Sequence, residues 1–334
     1  MQNKKVSIII PVYNNEKFLD KCLNSVINQT LNDIEIIIIN DGSTDNSLNK
    51  LKWYESKYSN IKLLNQPNSG QAVAINRALD LACGEYVAFV DADDYIENNM
   101  IETLYKEAKS SNLDLVICNY TKVDMDGRIL SYNDHSTFDN KLLDRNDLIR
   151  EFLLNENNLV EGFSWNKLIK MKLFNEFNIR YPHIKYEDIP TIFKILTKIK
   201  SCKYINDNLY YYVQHNDSIT NTKSIQNVKG YIEAIEMVND ILKEENLISV
   251  YKEDYFIYRS HSLLSEYMVS IEVVKDSKEL TKTFKEIFQS IKINKLLRLN
   301  KQVSIKFFIK AVLCKLWLFP QFVMTYHKVK SIFH

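Results

Sequence analysis

Residues 85–94 read EYVAFVDADD. The first six have the composition of a strand, and the run closes on three acids, Asp91, Asp93 and Asp94. Side chains at i and i+2 of an extended chain share a face, so Asp91 and Asp93 could converge on one ion, an arrangement that is costly without a cation. A strand-ending turn whose Asp caps the next helix accounts for the same residues. The stretch alone leaves both readings open.

Working outward, short β-branched runs alternate with amphipathic helical stretches across the first 120 residues. Strands are expected at 6–10 (VSIII), 34–40 (IEIIIIN), 61–65 (IKLLN), 85–90 and 113–120 (LDLVICNY), and helices near 16–28, 44–58, 71–82 and 97–110. Such alternation predicts an α/β fold with a mainly parallel central sheet covered on both faces. Ligands bind such sheets beyond the carboxyl ends of the strands, where Pro11-Val12-Tyr13-Asn14, Asp41-Gly42-Ser43 and Asp91-Ala92-Asp93 all fall. The alternation stops after the turn at 124–128 (DMDGR), mixed segments follow, and residues from about 226 to 290 read as helical.

The 334 residues carry 43 basic and 42 acidic side chains, a balance that argues against a dedicated nucleic-acid binder. From Ile287 to His334, however, there is no acid, while Lys292, Lys295, Arg298, Lys301, Lys306, Lys310, Lys315, Lys328 and Lys330 are basic. Cys22, Cys83, Cys118, Cys202 and Cys314 are scattered and form no CxxC pair, so they read as buried free thiols of a reducing compartment. The apolar stretch before Pro11 is too short for a signal peptide. No run approaches the roughly 20 apolar residues of a membrane span, and a cytoplasmic location is expected.

Several motifs in order, VSIIIPVYNNEKFLDKCLNSVINQT (6–30), IIINDGSTDNS (37–47), NSGQAVAINRALDLACGEYVAFVDADD (68–94), WNKL (165–168), YEDIP (186–190) and QHNDSIT (214–220), resemble the inverting, nucleotide-sugar-dependent glycosyltransferases of family 2. The resemblance covers roughly residues 4–220, and the similar bacterial members build surface polysaccharides, teichoic acids or protein glycans. It implies a GT-A fold, Rossmann-like, over residues 1–225, leaving a helical appendage at 226–290 and a basic amphipathic tail at 291–334. It also implies a hexosyl- or N-acetylhexosaminyltransferase that moves a sugar from a UDP-sugar to a hydroxyl of a growing glycan.

By that resemblance Asp41 accepts a hydrogen bond from the N3 imide of uracil, a bond a carboxylate can accept; a cap for the helix at 44–58 is the alternative. Pro11 to Tyr13 would cradle base and ribose, and Asn68, Gly70 and Arg77 would run past ribose and diphosphate, with Asp91 and Ala92 completing the donor site. A divalent cation, Mn²⁺ or Mg²⁺, would be held by Asp93, with Asp91 on the ribose and a metal-bound water. His215 would add an imidazole to the metal or a contact to phosphate. Asp188 would be the general base, with Glu187 beside it as an orienting or acceptor-binding group; an acidic helix N-terminus fits the same pair. Trp165 would floor the acceptor sugar, or else anchor the core.

A processive synthase would carry membrane spans and a QxxRW motif, and QHNDS at 214–218 has neither arginine nor tryptophan. A sugar nucleotidyltransferase would carry a glycine-rich N-terminal loop, which PVYNNEKFL at 11–19 lacks. An inactive glycan-binding module would be expected to lose Asp93 or Asp188, and both are present. Residues 295–333 interleave Lys and Arg with Leu, Phe, Trp and Ile, as in a helix lying on an anionic membrane. That location would suit a peripheral enzyme on the inner face of the cell membrane acting on a lipid-linked glycan. The alternative is a terminal helix packed on the catalytic domain or on a second copy of the chain, as a homo-oligomer.

Overall fold

The computed structural model describes residues 4–155, 157–215, 224–298, 305–316 and 318. Two compact units are formed, one by residues up to 218 and one by residues from 219. In the first, strands β1 (Lys4–Val12), β2 (Ile34–Asp41), β3 (Ile61–Gln66) and β4 (Gly84–Phe89) alternate with helices α1 (Leu19–Ile27), α2 (Ser47–Lys57) and α3 (Gln71–Leu79). There follow β5 (Tyr95–Ile96), α4 (Met100–Ser110), β6 (Leu115–Val123), β7 (Ile129–Tyr132), β8 (Leu142–Leu143), α5 (Arg145–Leu154), β9 (Lys167–Lys170), α6 (Met171–Glu176), α7 (Asp188–Lys198) and β10 (Cys202–Val213). The sheet order is β3-β2-β1-β4-β9-β6-β10-β5, with β7 on β6 and β8 on β10.

β1 to β4 are parallel, in a register that pairs Ile10 with Ile38, Ile9 with Phe89 and Asp41 with Gln66. The near-continuous Val and Ile runs of β1 and β2 are buried because helices cover both faces. α1 turns Leu19, Cys22, Leu23 and Val26 inward, the i, i+3, i+4, i+7 stripe of an amphipathic helix. The α/β class with a mostly parallel sheet is therefore as the sequence predicts. The pattern did not disclose β9, which inserts antiparallel between β4 and β6 and pairs Leu168 with both Ala88 and Val116. Because β9 runs opposite to β4, the residues just before it, Phe163 to Asn166, lie at the carboxyl-end edge of the parallel strands.

The second unit is helical: α8 (Ile225–Glu244), α9 (Ile248–Val269), α10 (Ile271–Asp276), α11 (Lys278–Ser290), α12 (Ile293–Arg298) and α13 (Ile305–Lys315). α8 packs on α9, and Tyr267 of α9 meets Phe284 and Phe288 of α11 at ring distances of 5.1 and 4.9 Å. α13 packs on α9 and α11: Ala311 and Cys314 are buried, Phe307 stacks on His261 and Lys315 Nζ donates to the carbonyls of Gln289 and Ile291. This part of the basic tail is thus packed, though on the helices of its own unit rather than on the catalytic domain or second copy that the alternative named, whereas 299–304, 317 and 319–334 lie outside the described residues. All five cysteines are free, but Cys83 is exposed, correcting the expectation that all are buried; it precedes Gly84 at the rim of β4. Among the described residues no helix is long and apolar enough to cross a membrane.

Gly84 carries the tightest contact between β1 and β4. A Cβ there would lie 2.4 Å from the amide nitrogen of Ser7, whose hydroxyl accepts from Gly84 N and donates to Glu35. Gly84→Ala is expected to lower unfolding free energy by about 1–3 kcal/mol through strand separation, read from urea denaturation against the wild type.

Candidate active site

Asp41 ends β2 almost fully buried, yet its carboxylate is well supplied with donors. Oδ1 accepts from Gln66 Nε2 and Ser69 N at 2.8 Å each, and Oδ2 accepts from Gly70 N at 2.9 Å. A carboxylate offers about four lone-pair positions, so one on Oδ2 is left over by these three bonds. Asp41 is not a helix cap: α2 begins after Asn46, and Ser43 and Thr44 are bonded to Asn14 instead. Those bonds, with Asn15 N to Ser47 Oγ and Glu16 N to Asp45 Oδ2, zip the loop after β1 to the loop after β2. Tyr13 projects from the seam 49% exposed, beside partly buried Pro11. Arg77, expected beside the ribose and diphosphate, donates to Gln66 Oε1 at 3.3 Å, and Gln66 in turn donates to Asp41.

Two glycines shape this edge. Gly42 has φ +71°, and a Cβ on it would sit 2.4 Å from Asn68 N, so the loops bearing Asp41 and Asn68 touch only because position 42 has no side chain. Gly70, with φ +90°, opens α3 and faces His183 Nε2.

The acidic motif forms a turn, not an extended segment. Asp94 N donates to Asp91 O at 3.0 Å, closing a four-residue turn, so the alternation of an extended strand is not what brings these acids together. Asp94 is structural: its buried carboxylate accepts from Tyr210 Oη at 2.7 Å and Val213 N at 2.8 Å, and Tyr210 Oη in turn accepts from Asp91 N. The turn is thereby tied to the end of β10, which delivers His215. His215 Nε2 lies 2.9 Å from Asp93 Oδ2, with its ring packed on Phe18 at 4.6 Å. Asp91 is pushed well above the usual carboxylate range by burial first, then by Asp93, Asp188 and Glu187. Ala92 is in the hydrophobic core, leaving only its backbone for a ligand. Among the described residues no three His, Cys, Asp or Glu side chains already converge as a metal cage.

Glu187 and Asp188 open α7, just after Tyr186, whose φ of +60° is an uncommon conformation for an aromatic residue. Burial and the Asp188 charge push Glu187 up to about 8. Asp188 is raised less, to about 6, because a Ser164 hydrogen bond at 2.8 Å and the Lys167 charge favour its ionised form against burial. Burial thus raises both acids, Glu187 further than Asp188, so Asp188 is the more readily ionised of the two. Lys167 is fully buried on β9, lowered to about 8 by burial, and donates to Phe163 O and Asn166 Oδ1.

Trp165 does not present a sugar-binding face. It is only 4% exposed, stacked near-parallel with Phe163 at 4.9 Å and Tyr210 at 4.3 Å, so the core-anchor alternative is what the structure contains. Sequence reasoning missed Ser164, Lys167 and Gln66. Ser164 and Lys167 flank the WNKL motif or lie in it, and only the antiparallel course of β9 reveals what they face.

The residues from Ser7 to Phe177 match the model of the glycosyl transferase family 2. The chain belongs to this family. It is 31% identical over 276 residues to a cholesterol galactosyltransferase of Borreliella burgdorferi, covering 81% of this chain and 75% of the relative. It is 33% identical over 231 residues to glycosyltransferase GlyG of Streptococcus pneumoniae, covering 65% of this chain and 73% of that one. The structure of S. aureus TarS 1-349 in complex with UDP-GlcNAc superposes with a TM-score of 0.72 at 20% identity, over 97% of this chain and 92% of that one. The protein is thus a glycosyltransferase with a GT-A catalytic unit and C-terminal helices.

Replacing Gly42 by Ala in this family 2 enzyme must move the Asn68 backbone or the Asp41 loop. Affinity for nucleotide, measured by calorimetric titration, is expected to fall about 10-fold or more, with the far-UV circular dichroism spectrum unchanged.

Proposed function

We propose that the enzyme transfers a sugar, with inversion, from a UDP-sugar to a hydroxyl of a growing glycan of the bacterial surface, and that Asp188 is its general base. The observation that carries this reading is the split between the two adjacent acids. Burial raises both acids, and Asp188 less, since the Ser164 hydroxyl and the buried Lys167 favour its ionised form, which suits it to accept a proton there. In the reaction, an acceptor hydroxyl gives its proton to Asp188 as its oxygen bonds to the anomeric carbon. The bond from that carbon to the diphosphate breaks with its electron pair staying on the departing UDP. Glu187, neutral, can donate a hydrogen bond to the acceptor.

The lone pair left over on Asp41 Oδ2 suits the imide N–H of uracil, which supports a uridine donor, as does the UDP-GlcNAc carried by the structural neighbour. Asp93 and His215 offer one carboxylate oxygen and one imidazole nitrogen 2.9 Å apart, a donor pair that fits Mn²⁺, and Mg²⁺ less closely. A divalent cation held there would neutralise charge on the leaving diphosphate. The remaining ligands would come from phosphate and water. Asp91, so strongly disfavoured as an anion by its neighbours, would gain most from such a charge.

A lipid-linked acceptor is supported by the relative named for cholesterol. Membrane attachment at the inner face of the cell membrane would then fall to the exposed Ile309, Leu316 and Leu318 together with residues beyond them, since the buried face of α13 is already packed. Truncation after Leu318 is expected to weaken binding to phosphatidylglycerol vesicles in a sedimentation assay while leaving the melting temperature unchanged; undiminished binding would count against the tail.

Asp188→Asn is expected to reduce transfer by about 10²–10⁴-fold while UDP still binds. Wild-type kcat should fall as the pH drops through about 6, because protonated Asp188 cannot accept the acceptor's proton. Mn²⁺ is expected to raise the melting temperature of the wild type and to do so far less for Asp93→Ala.

A further inference from the structure

Behind Asp188 lies a chain of polar groups that neither donor binding nor the transfer step uses. Ser164 Oγ donates to Asp188 Oδ1 at 2.8 Å, and Tyr181 Oη lies 2.8 Å from the same Ser164 oxygen, with Ser164 and Tyr181 buried and Asp188 partly buried. The direction of the chain follows from proton counting. An ionised carboxylate can only accept, and a serine hydroxyl has one hydrogen. Once Ser164 has given that hydrogen to Asp188, the Tyr181 hydroxyl must be the donor to Ser164. Burial and the Asp188 charge hold the Tyr181 phenol well above its ordinary range, so it keeps the proton this role requires.

The Tyr181 backbone is in turn clamped by a side chain of the helix that opens at the donor loop. Asn76 of α3 accepts from Tyr181 N through Oδ1 and donates to Tyr181 O through Nδ2, both at 2.8 Å. Between Ser164 and Asp188 the two segments come together at Gly162, where a Cβ would lie 2.9 Å from the Ile189 side chain and 3.3 Å from its Cα. Lys167 and Asn166 fix the same segment: Asn166 exchanges two bonds with the Cys118 backbone, and Lys167 closes on Phe163 O.

We propose that Ser164 and Tyr181 are positioning residues that lock one oxygen of Asp188, leave its other oxygen for the acceptor proton, and register the base to the donor-site helix through Asn76. The inference rests on the reading of Asp188 as the base. The charged and titratable groups acting on Asp188 are Glu187 on its own helix, Asp91 of the acidic turn, Lys167 of β9 and Tyr181. Of these groups and Ser164, only Ser164 makes a side-chain hydrogen bond to it. Without that bond the carboxylate keeps the Ser164 backbone hydrogen bond, but its ionised form loses a charge-assisted side-chain donor.

The test compares the wild-type full chain with Ser164→Ala, Ser164→Thr, Tyr181→Phe and Asp188→Asn. UDP release from UDP-glucose, UDP-galactose and UDP-N-acetylglucosamine, with water as acceptor, gives kcat and KM. UDP titration with Mn²⁺ gives donor affinity, and ¹³C NMR of the Asp188 carboxyl gives its titration. For Ser164→Ala, kcat is expected to fall about 10- to 100-fold with KM and UDP affinity unchanged, and Asp188 to titrate about one pH unit higher. Ser164→Thr should restore both, and Tyr181→Phe should shift both in the same direction by less. Ser164→Ala with wild-type kcat and an unmoved Asp188 titration would overturn the inference. Parallel loss of UDP affinity and melting temperature, unrescued by threonine, would overturn it too by showing a structural role. Asp188→Asn at wild-type turnover would instead remove the base reading itself, an outcome distinct from both.

Discussion

The constraint on which the site depends is the burial of several carboxyl groups within electrostatic reach of one another at a single sheet edge. Asp91, Asp94, Glu187 and Asp188 are all raised above the ordinary carboxylate range, each with desolvation as the leading cause. A buried carboxylate without a partner is expensive enough that it takes up a proton instead. Each acid therefore needs its own local solution, and the solutions assign different duties to residues of the same type. Asp94 is absorbed into the fold by Tyr210 and Val213. Asp41, farther along the edge, is satisfied by two backbone amides and Gln66. Asp188 is kept ionisable by a hydroxyl and a buried lysine. Glu187, for which a backbone amide and Lys185 offset burial less, is raised further. His215 lies against Asp93, and beside Asp91 the balance calls for charge brought in from outside.

The antiparallel strand β9 makes that distribution possible. A purely parallel sheet would deliver only strand ends and the helices that follow them to the edge. By running against its neighbours, β9 brings the segment before it to the same edge from the opposite direction. Ser164 and Lys167 arrive there, beside an acid on a helix that begins more than 20 residues later. Lys167 also makes the strand costly: a fully buried ammonium is tolerated because two close oxygen acceptors and the carboxylates around it replace its hydration.

The fold class was legible because it depends on local pattern. Strand–helix alternation reads directly from apolar periodicity, and the acids at strand ends stand out against it. Arguments about side-chain direction failed where backbone conformation departed from the local ideal. The i and i+2 logic for Asp91 and Asp93 supposed an extended chain, whereas a turn closed by Asp94 N is present. Trp165 read as a sugar platform because an aromatic in a motif looks the same whether its faces are open or stacked on Phe163 and Tyr210. Ser164, Tyr181 and Asn76 carried no readable mark, since their meaning lies in contacts across 17 to 105 positions of the chain. The six glycines could have offered a partial clue: in so glycine-poor a sequence, Gly42, Gly84 and Gly162 each sit where a backbone or side chain approaches too closely for a Cβ.

In the proposed reaction these long-range contacts have a shared geometric effect. An attack on the anomeric carbon from the face opposite the leaving phosphate needs donor and base held in register to within fractions of an ångström, since small misplacements are costly in rate. The donor loop and the base belong to segments more than 100 residues apart in sequence, joined in space by Asn76 holding the Tyr181 backbone and Tyr181 holding Ser164. Each bond in that path is short, and the central one between Ser164 and Tyr181 is buried away from competing water. Helix α3, which begins at the residue whose amide supports Asp41, therefore also supports the far end of the path to Asp188. A displacement of the donor loop would be carried to the base through hydrogen bonds whose lengths are nearly fixed, which gives the catalytic unit a physical means of keeping its two halves aligned.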